Sequence, residues 1–374
     1  MFKRVLAACL AVILLLLTFG CGKDSTADPE PVVKDAPKFE GKIAIVVGDQ
    51  SQSPEAYAAA SEIAGVYPDS VMLLKYAENF YSNPNAVTTV AAAAAENQNV
   101  KAILFADGVK GTGAAVRAVR EARDDVCIVV CNPHEGTVEM KGADLMLSVD
   151  FPALGQAMVQ KAKEMGAENF VFYMTLRHMQ YSSVAALRRA LELACEDEEM
   201  TFKAKTCIDR YDSGKSLDHS KLFLAEDAPR IQSAFGQKTA LVCTEPQIQG
   251  ALAAQVIERG TVMPATFLPS PLSLAADLGV DMSGHETDSK YALEQLRAES
   301  VGASGVVATW EFSSYVAFLH AAFDYAVSVV NGDDTKTTVA NVQRLLEKYT
   351  AGAAVSVSTD ANFAYLVQSD LVTL

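Results

Sequence analysis

Ile43-Ala44-Ile45-Val46-Val47, followed by Gly48-Asp49-Gln50-Ser51-Gln52-Ser53 and Pro54, is the stretch that sets the fold class. Five apolar residues without polar alternation form a short buried run, which reads as a strand covered on both faces. The polar hexapeptide is a loop. Pro54 opens a helix, because its fixed φ suits the first turn and its missing N–H has no partner there anyway; Ser53 is the expected N-cap. That helix runs to about Val66.

The same order recurs outward from this segment. Strands are expected at 70–76, 100–106, 126–130 and 145–149, with helices starting at Asn83-Pro84 and after Asp107-Gly108. The pattern then restarts, with strands at 170–174, 201–208, 240–243 and 305–309 and helices at 182–195, 223–235, up to Arg259, and 313–330. Apolar strands alternating with helices give βαβ units and parallel sheets. The expected fold is α/β, with an N-terminal α/β lobe over 41–150 and a C-terminal α/β lobe over 151–309. Residues 310–374 are expected to return to the first lobe and add a C-terminal extension.

The N-terminus reads as an address. Lys3 and Arg4 precede an uncharged, leucine-rich run over 5–19. Such a run is too short for a membrane-spanning helix and suits a signal peptide over 1–20. Leu17-Thr18-Phe19-Gly20-Cys21 resembles the lipobox of bacterial lipoproteins, with Thr18 where leucine is usual. The resemblance implies acylation (palmitate) of Cys21 as the mature N-terminus. Residues 21–40 hold Pro29, Pro31 and Pro37 among charged residues and no apolar periodicity, so they read as a flexible tether.

The net charge is −15, and loss of Lys3 and Arg4 with residues 1–20 takes it to −17. With no basic stripe, such a surface repels phosphate backbones, so no nucleic-acid partner is expected. Beyond Cys9 and Cys21 there are five cysteines, Cys127, Cys131, Cys195, Cys207 and Cys243. Four of them sit in strand-like runs, where a thiol acts as a small buried hydrophobe. No disulfide framework, metal site or cofactor is expected.

Two segments resemble the type I periplasmic-binding-protein superfamily, which includes sugar-binding proteins and the effector domains of related repressors. The first is Val149-Asp150-Phe151-Pro152-Ala153-Leu154-Gly155 with a helix ending at Gly166. Asp150, Gly155 and Gly166 match, and Phe151 replaces the family's asparagine. The second runs from Ala240 through Cys243-Thr244-Glu245 to Gly250-Ala251, with Thr244-Glu245 in place of Asn-Asp. The chain as a whole also looks like an uncharacterised family of bacterial lipoproteins with this fold. The resemblance implies two Rossmann-like lobes with parallel sheets and a ligand cleft between them, and gives Glu245 a ligand contact.

In open α/β sheets, ligands bind beyond the carboxyl ends of the strands. Candidate ligand-binding residues are therefore those just after each strand: Asp49, Gln50 and Ser51; Tyr76 and Glu78; Asp107; Asn132 and His134; Thr175, Arg177, His178 and Tyr181; Asp209; Glu245; and Trp310. Arg177 could clamp a carboxylate or bridge the lobes, and Trp310 could stack on a sugar or base or pack a hinge. Gly111-x-Gly113 lacks the third glycine of a dinucleotide fingerprint, Val116 standing there. Gly214-Lys215-Ser216 lacks the first glycine of a P-loop, Asp209 standing there. With no Gly-x-Ser-x-Gly and no HExxH, an enzyme is the least favoured function.

The resemblance thus implies a lipid-anchored, extracytoplasmic solute-binding protein. It would capture a small polar ligand, of sugar or nucleoside class, for the permease of an ABC-type transporter by hinge closure. A ligand sensor signalling to a membrane receptor is the alternative.

Overall fold

The computed structural model describes residues 37–374 apart from 78, 79, 81, 84, 137, 299–304, 334–336 and 369. The signal peptide, most of the tether, Cys21 and Glu78 lie outside the described residues.

Twelve strands are formed in the described residues: β1 Lys42–Val47, β2 Val71–Lys75, β3 Val100–Phe105, β4 Cys127–Cys131, β5 Leu145–Val149, β6 Asn169–Met174, β7 Thr201–Thr206, β8 Thr239–Cys243, β9 Ala308–Trp310, β10 Ser356–Asp360, β11 Phe363–Gln368 and β12 Leu371–Thr373. The first sheet has the order β10-β11-β5-β4-β3-β1-β2, and the second has the order β7-β6-β8. β1 to β5 are mutually parallel where they pair, as the helical crossovers between them require.

The continuous apolar runs are explained by helices on both faces of the first sheet. Ile43, Ile45 and Val47 point to one core, and Ala44 and Val46 point to the other. β3 and β4 divide in the same way, Leu104 and Val129 facing the first core and Ile103 and Ile128 the second. Cys127 and Cys131 share one face of β4, and all five described cysteines are buried and unpaired. Burial pushes the Cys195 and Cys207 thiols up to about 12.

The chain leaves the first sheet after β5. Asp150 caps the helix Phe151–Glu164, its carboxylate accepting from Ala153 N at 2.9 Å, and Pro152 sits in the first turn. It returns at Ser313, which caps the long helix Ser314–Val330. That helix is apolar almost all round and packs on β3, β4 and β5, burying Phe318, Leu319 and Val327. Each such side chain contributes roughly 1.5–3 kcal/mol.

The C-terminal segment forms three further strands. β11 adds to the first sheet parallel to β5, and β10 pairs antiparallel to β11. β12 pairs antiparallel with β9. The expected strand at 305–309 is shifted to Ala308–Trp310, and only an isolated bridge, Met263 to Val307, links its neighbourhood toward β8. No described helix is long and apolar enough to cross a membrane.

Candidate functional site

The loops after β1, β3 and β4 face the loops after β6, β7 and β8 across a cavity. It encloses about 820 Å³ not filled by protein atoms, including its open mouth.

The wall contributed by the first sheet is held by close backbone approaches. Gly108 N donates to Cys131 O at 2.7 Å, and a Cβ at Gly108 would lie 2.8 Å from Pro133 Cα and Val130 Cγ1. Only glycine lets the two loops meet this closely. Asn132 has φ +47°, a left-handed conformation that asparagine tolerates better than most residues. Asp107 and Asn132 are each 7% exposed. Asn132 Nδ2, His134 Nδ1 and Asp107 Oδ1 are buried without a hydrogen-bond partner. His134 Nε2 lies 3.3 Å from that Asp107 oxygen, an ion pair when the ring is protonated.

The opposite wall is internally saturated. Arg177 Nε donates to Asp209 Oδ2 at 2.9 Å, Nη2 to Glu245 Oε2 at 3.0 Å and Nη1 to the Tyr181 hydroxyl at 3.3 Å. Its guanidinium also lies 4.9 Å from the Tyr211 ring centre. Glu245 is 4% exposed, and its burial raises its carboxyl above the usual range against the pull of Arg177 and Arg210. His178 Nδ1 meets the Thr244 hydroxyl at 2.8 Å. Burial, then Arg177 and His134, hold the His178 pKa well below that of a free imidazole. Phe267 stacks at 6.4 Å on His178 and lies 6.3 Å from Phe151, giving the cavity an aromatic side.

The walls touch at the rim. Gln247 Nε2 donates to Ser51 O at 2.8 Å, and the His134 and Tyr181 rings lie 4.8 Å apart. Arg210 donates to Gln247 Oε1 and to the Tyr211 hydroxyl.

Of the residues expected from sequence, Asp107, Asn132, His134, Arg177, His178, Tyr181 and Glu245 line this cavity. The others have different places. Asp49 folds its own loop, its carboxylate accepting from Ser51 N and Oγ, and Ser51 offers only its carbonyl to the opposite wall. Gln50 lines an adjoining cavity. Tyr76 is 3% exposed and packs edge-on against Phe80 at 5.0 Å. Thr175 is fully buried, accepting from His178 N. Asp209 is a support beneath Arg177 rather than a wall residue, 1% exposed.

Trp310 is corrected outright. It is 1% exposed, its indole N–H donates to Thr266 O at 3.0 Å, and it borders a separate cavity beside Asp150 and Pro269 rather than this one. Ser53 stands at the N-cap of its helix as expected, its carbonyl accepting from Tyr57 N at 2.8 Å, but its hydroxyl makes no capping hydrogen bond and reaches Asp107 Oδ2 at 3.4 Å instead.

Sequence reasoning missed Gln52, Ser53, Phe151, Arg210, Gln247, Phe267 and Tyr315 as wall residues. Arg210 and Gln247 stand one and two residues beyond flagged positions, so a wider window after each strand finds them. Phe267 and Tyr315 carry no local signal, since only the tertiary fold brings them to the cavity.

The helix Thr112–Ala122 shows why the glycine-rich loop before it binds no dinucleotide here. Glu135 fills its N-terminus, accepting from Gly111 N at 3.1 Å and Gly113 N at 2.7 Å. The N–H groups that would cradle a phosphate are taken.

A family model described as protein of unknown function (DUF3798) matches residues 41–308. The chain belongs to the DUF3798 family. It is 26% identical over 175 residues to an uncharacterised protein of Treponema pallidum (strain Nichols), covering 45% of this chain and 79% of that protein. A crystal structure of a candidate transcriptional regulator from Clostridium difficile 630 superposes with TM-score 0.73 at 16% identity, covering 90% of this chain and all of that one. An ABC transporter periplasmic solute-binding protein from Actinobacillus succinogenes 130z, with bound D-allose, superposes with TM-score 0.58 at 11% identity, covering 89% and 98%. This DUF3798 chain has the type I periplasmic-binding-protein fold.

Proposed function

We propose that this DUF3798 protein is an extracytoplasmic solute-binding protein. Two lobes built on the two sheets close around one small polar molecule, and the closed form is recognised by the permease of an ABC-type transporter. A lipid on Cys21 and the tether over 21–40 hold the protein at the membrane.

One observation carries the capture of a ligand: three buried polar atoms without hydrogen-bond partners, Asn132 Nδ2, His134 Nδ1 and Asp107 Oδ1, on one wall of a cavity. Leaving a buried polar group unsatisfied costs about 1–3 kcal/mol. Three together at the mouths of β3 and β4 are best accounted for as contacts waiting for a ligand. The opposite wall, rigid through the Arg177–Asp209–Glu245 network, supplies shape and aromatic surface. Contacts from both walls would favour the closed form, as hinge closure needs.

A thermal-shift screen of sugars, nucleosides and amino acids on the full chain tests this. A true ligand at 100 times its Kd stabilises the fold by about 2.7 kcal/mol. The Asn132→Gly variant, which keeps the left-handed backbone and removes the amide, is expected to lose most of that shift. A screen with no shift in wild type, or an equal shift in both proteins, counts against the proposal. The anchor has its own test: Cys21→Ser is expected to abolish the acyl mass and membrane partition.

The likeness to a candidate regulator favours a second reading, in which the same closure signals to a membrane receptor. Ligand-dependent uptake into cells carrying this protein supports transport; ligand-dependent capture of a receptor without uptake supports sensing.

A further inference from the structure

The cleft does not end at the aromatic wall. A second chamber opens beside it, enclosing about 1040 Å³ with its mouth, between the helices Pro54–Val66 and Leu272–Asp277. Asp107, Glu245, Gln247 and Tyr315 line both chambers, so the two form one continuous space.

The charge in the second chamber is one-sided. Five carboxylates line the second chamber, those of Glu55, Asp107, Glu245, Asp277 and Glu286, and no Lys or Arg lines it. Lys221 acts on Asp277 only from outside. Glu55 is 7% exposed and lies among hydroxyl and amide donors: Ser270 Oγ at 2.7 Å, Ser273 N at 3.1 Å, and the hydroxyls of Ser273 and Ser313. Among the described residues no cation pairs with it. The rest of the lining mixes neutral polar residues such as Gln50, Gln247 and Ser273 with apolar ones such as Leu272, Ala276 and Met282.

The first chamber cannot readily take an anion. Arg177 is committed to two buried acids and a tyrosine, and Arg210 to Gln247 and Tyr211. A ligand carboxylate or phosphate would have to displace a buried carboxylate. The independent mark of a ligand is Asp107. It is more than nine-tenths buried and lines both chambers, and its Oδ1 accepts no hydrogen bond, His134 Nε2 standing off at 3.3 Å. An acceptor of this kind, in a negative cavity, matches an ammonium group, which has three donors and no acceptor. Asn132 Nδ2 nearby asks for an acceptor on the same molecule.

We infer that the ligand of this cleft is an organic cation: a small amine that also carries a hydroxyl or carbonyl acceptor, with its ammonium group set toward Asp107 and the acidic chamber. This inference rests on the ligand-capture reading above and narrows it.

The experiment is calorimetric titration of the full chain with two matched sets of probes. One set is 2-amino-2-deoxy-D-glucose, D-glucose and D-glucuronate. The other is 4-aminobutan-1-ol, butane-1,4-diol and 4-hydroxybutanoate. In at least one set the amine is expected to bind at least about tenfold tighter than its neutral partner, and the carboxylate not at all; tenfold corresponds to 1.4 kcal/mol. Amine binding is expected to weaken as salt is raised from 0.05 to 0.5 M, as screening of a charged ligand requires. Asp277→Asn, whose amide oxygen can still accept from Gly250 N, and Glu286→Gln are each expected to weaken the amine by about two- to fivefold.

A neutral or carboxylate probe binding tighter than its amine overturns the inference, as does the absence of heat from both amines. If neutral sugars bind while the amines do not, the cation inference falls and ligand capture stands. If neither these probes nor the broad thermal-shift screen gives binding, both fall.

Discussion

Replacing Arg177 by methionine separates a scaffolding role from ligand clamping. Arg177 neutralises Asp209 and Glu245, whose side chains are 1% and 6% exposed, while its own is 19% exposed. Removing the cation leaves two buried carboxylates with backbone donors, Tyr211 N on Asp209 among them, but without their ion-pair partner. Breaking a buried pair from one side costs about 3–5 kcal/mol, and the residual exposure of Arg177 places this case toward ~3. With a urea m-value of roughly 3 kcal/mol/M for a chain of this size, the denaturation midpoint is expected to fall by about 1 M at pH 7. The loss is expected to shrink toward pH 5, because the Glu245 carboxyl is already raised by burial and without Arg177 takes up a proton more easily. The triple variant Arg177→Met, Asp209→Asn, Glu245→Gln is expected to recover most of the loss, since no buried charge remains. Equilibrium urea unfolding followed by circular dichroism measures all three proteins. A loss below ~1 kcal/mol with an unchanged m-value would show that the network is not a buried charge balance, and would return Arg177 to the role of a free clamp.

His178 gives the fold a pH dependence of known sign. Its folded pKa lies well below its unfolded value near 6.5, so the unfolded chain binds the extra proton and stability is lost as pH falls below that value. This residue contributes a loss of about 0.7 kcal/mol between pH 7 and 6, with the slope approaching 1.4 kcal/mol per pH unit below that, and the difference between wild type and His178→Gln in urea titrations at pH 7, 6 and 5 is expected to show it. Gly250→Ala is expected to destabilise by about 1–3 kcal/mol, because the new Cβ would lie 2.3 Å from Asp277 Cβ; thermal unfolding measures the loss. Trp310→Phe is expected to cost about 1–3 kcal/mol through the unpaired Thr266 carbonyl and to leave ligand affinity unchanged, which calorimetry checks. The buried thiols Cys127, Cys131, Cys195, Cys207 and Cys243 are expected to stay unlabelled by a thiol reagent in native buffer and to react fully in denaturant.

The sheets were legible because their signal is local. A run such as Ile43 to Val47, buried on both faces, has no other stable reading when a capped helix follows it. The strand ends were legible for the same reason, and parallel pairing brings Asp107, Asn132, Arg177 and Glu245 to one cavity as a consequence of topology. What escaped depends on partners distant in sequence. β10 and β11 are short and partly polar, and become strands only because β5 offers an edge. Trp310 follows a strand as a ligand-stacking residue should, but that strand pairs with β12 and leaves the ring in the core. Phe267 and Tyr315 reach the cavity from loop and helix, with nothing in their neighbours to announce it. The contrast between the saturated wall at Arg177 and the unsatisfied wall at Asn132 is likewise a matter of geometry, since both read as polar loops.

Direct calorimetric titration of the full chain with the best compound from the screen, in wild type and in Asn132→Gly, tests ligand capture most directly. Saturable binding of one molecule per chain, weakened at least about tenfold by loss of the Asn132 amide, is the expected result, since one good buried hydrogen bond is worth about 1.4 kcal/mol. An affinity unchanged in Asn132→Gly, in a variant that remains folded, would contradict it.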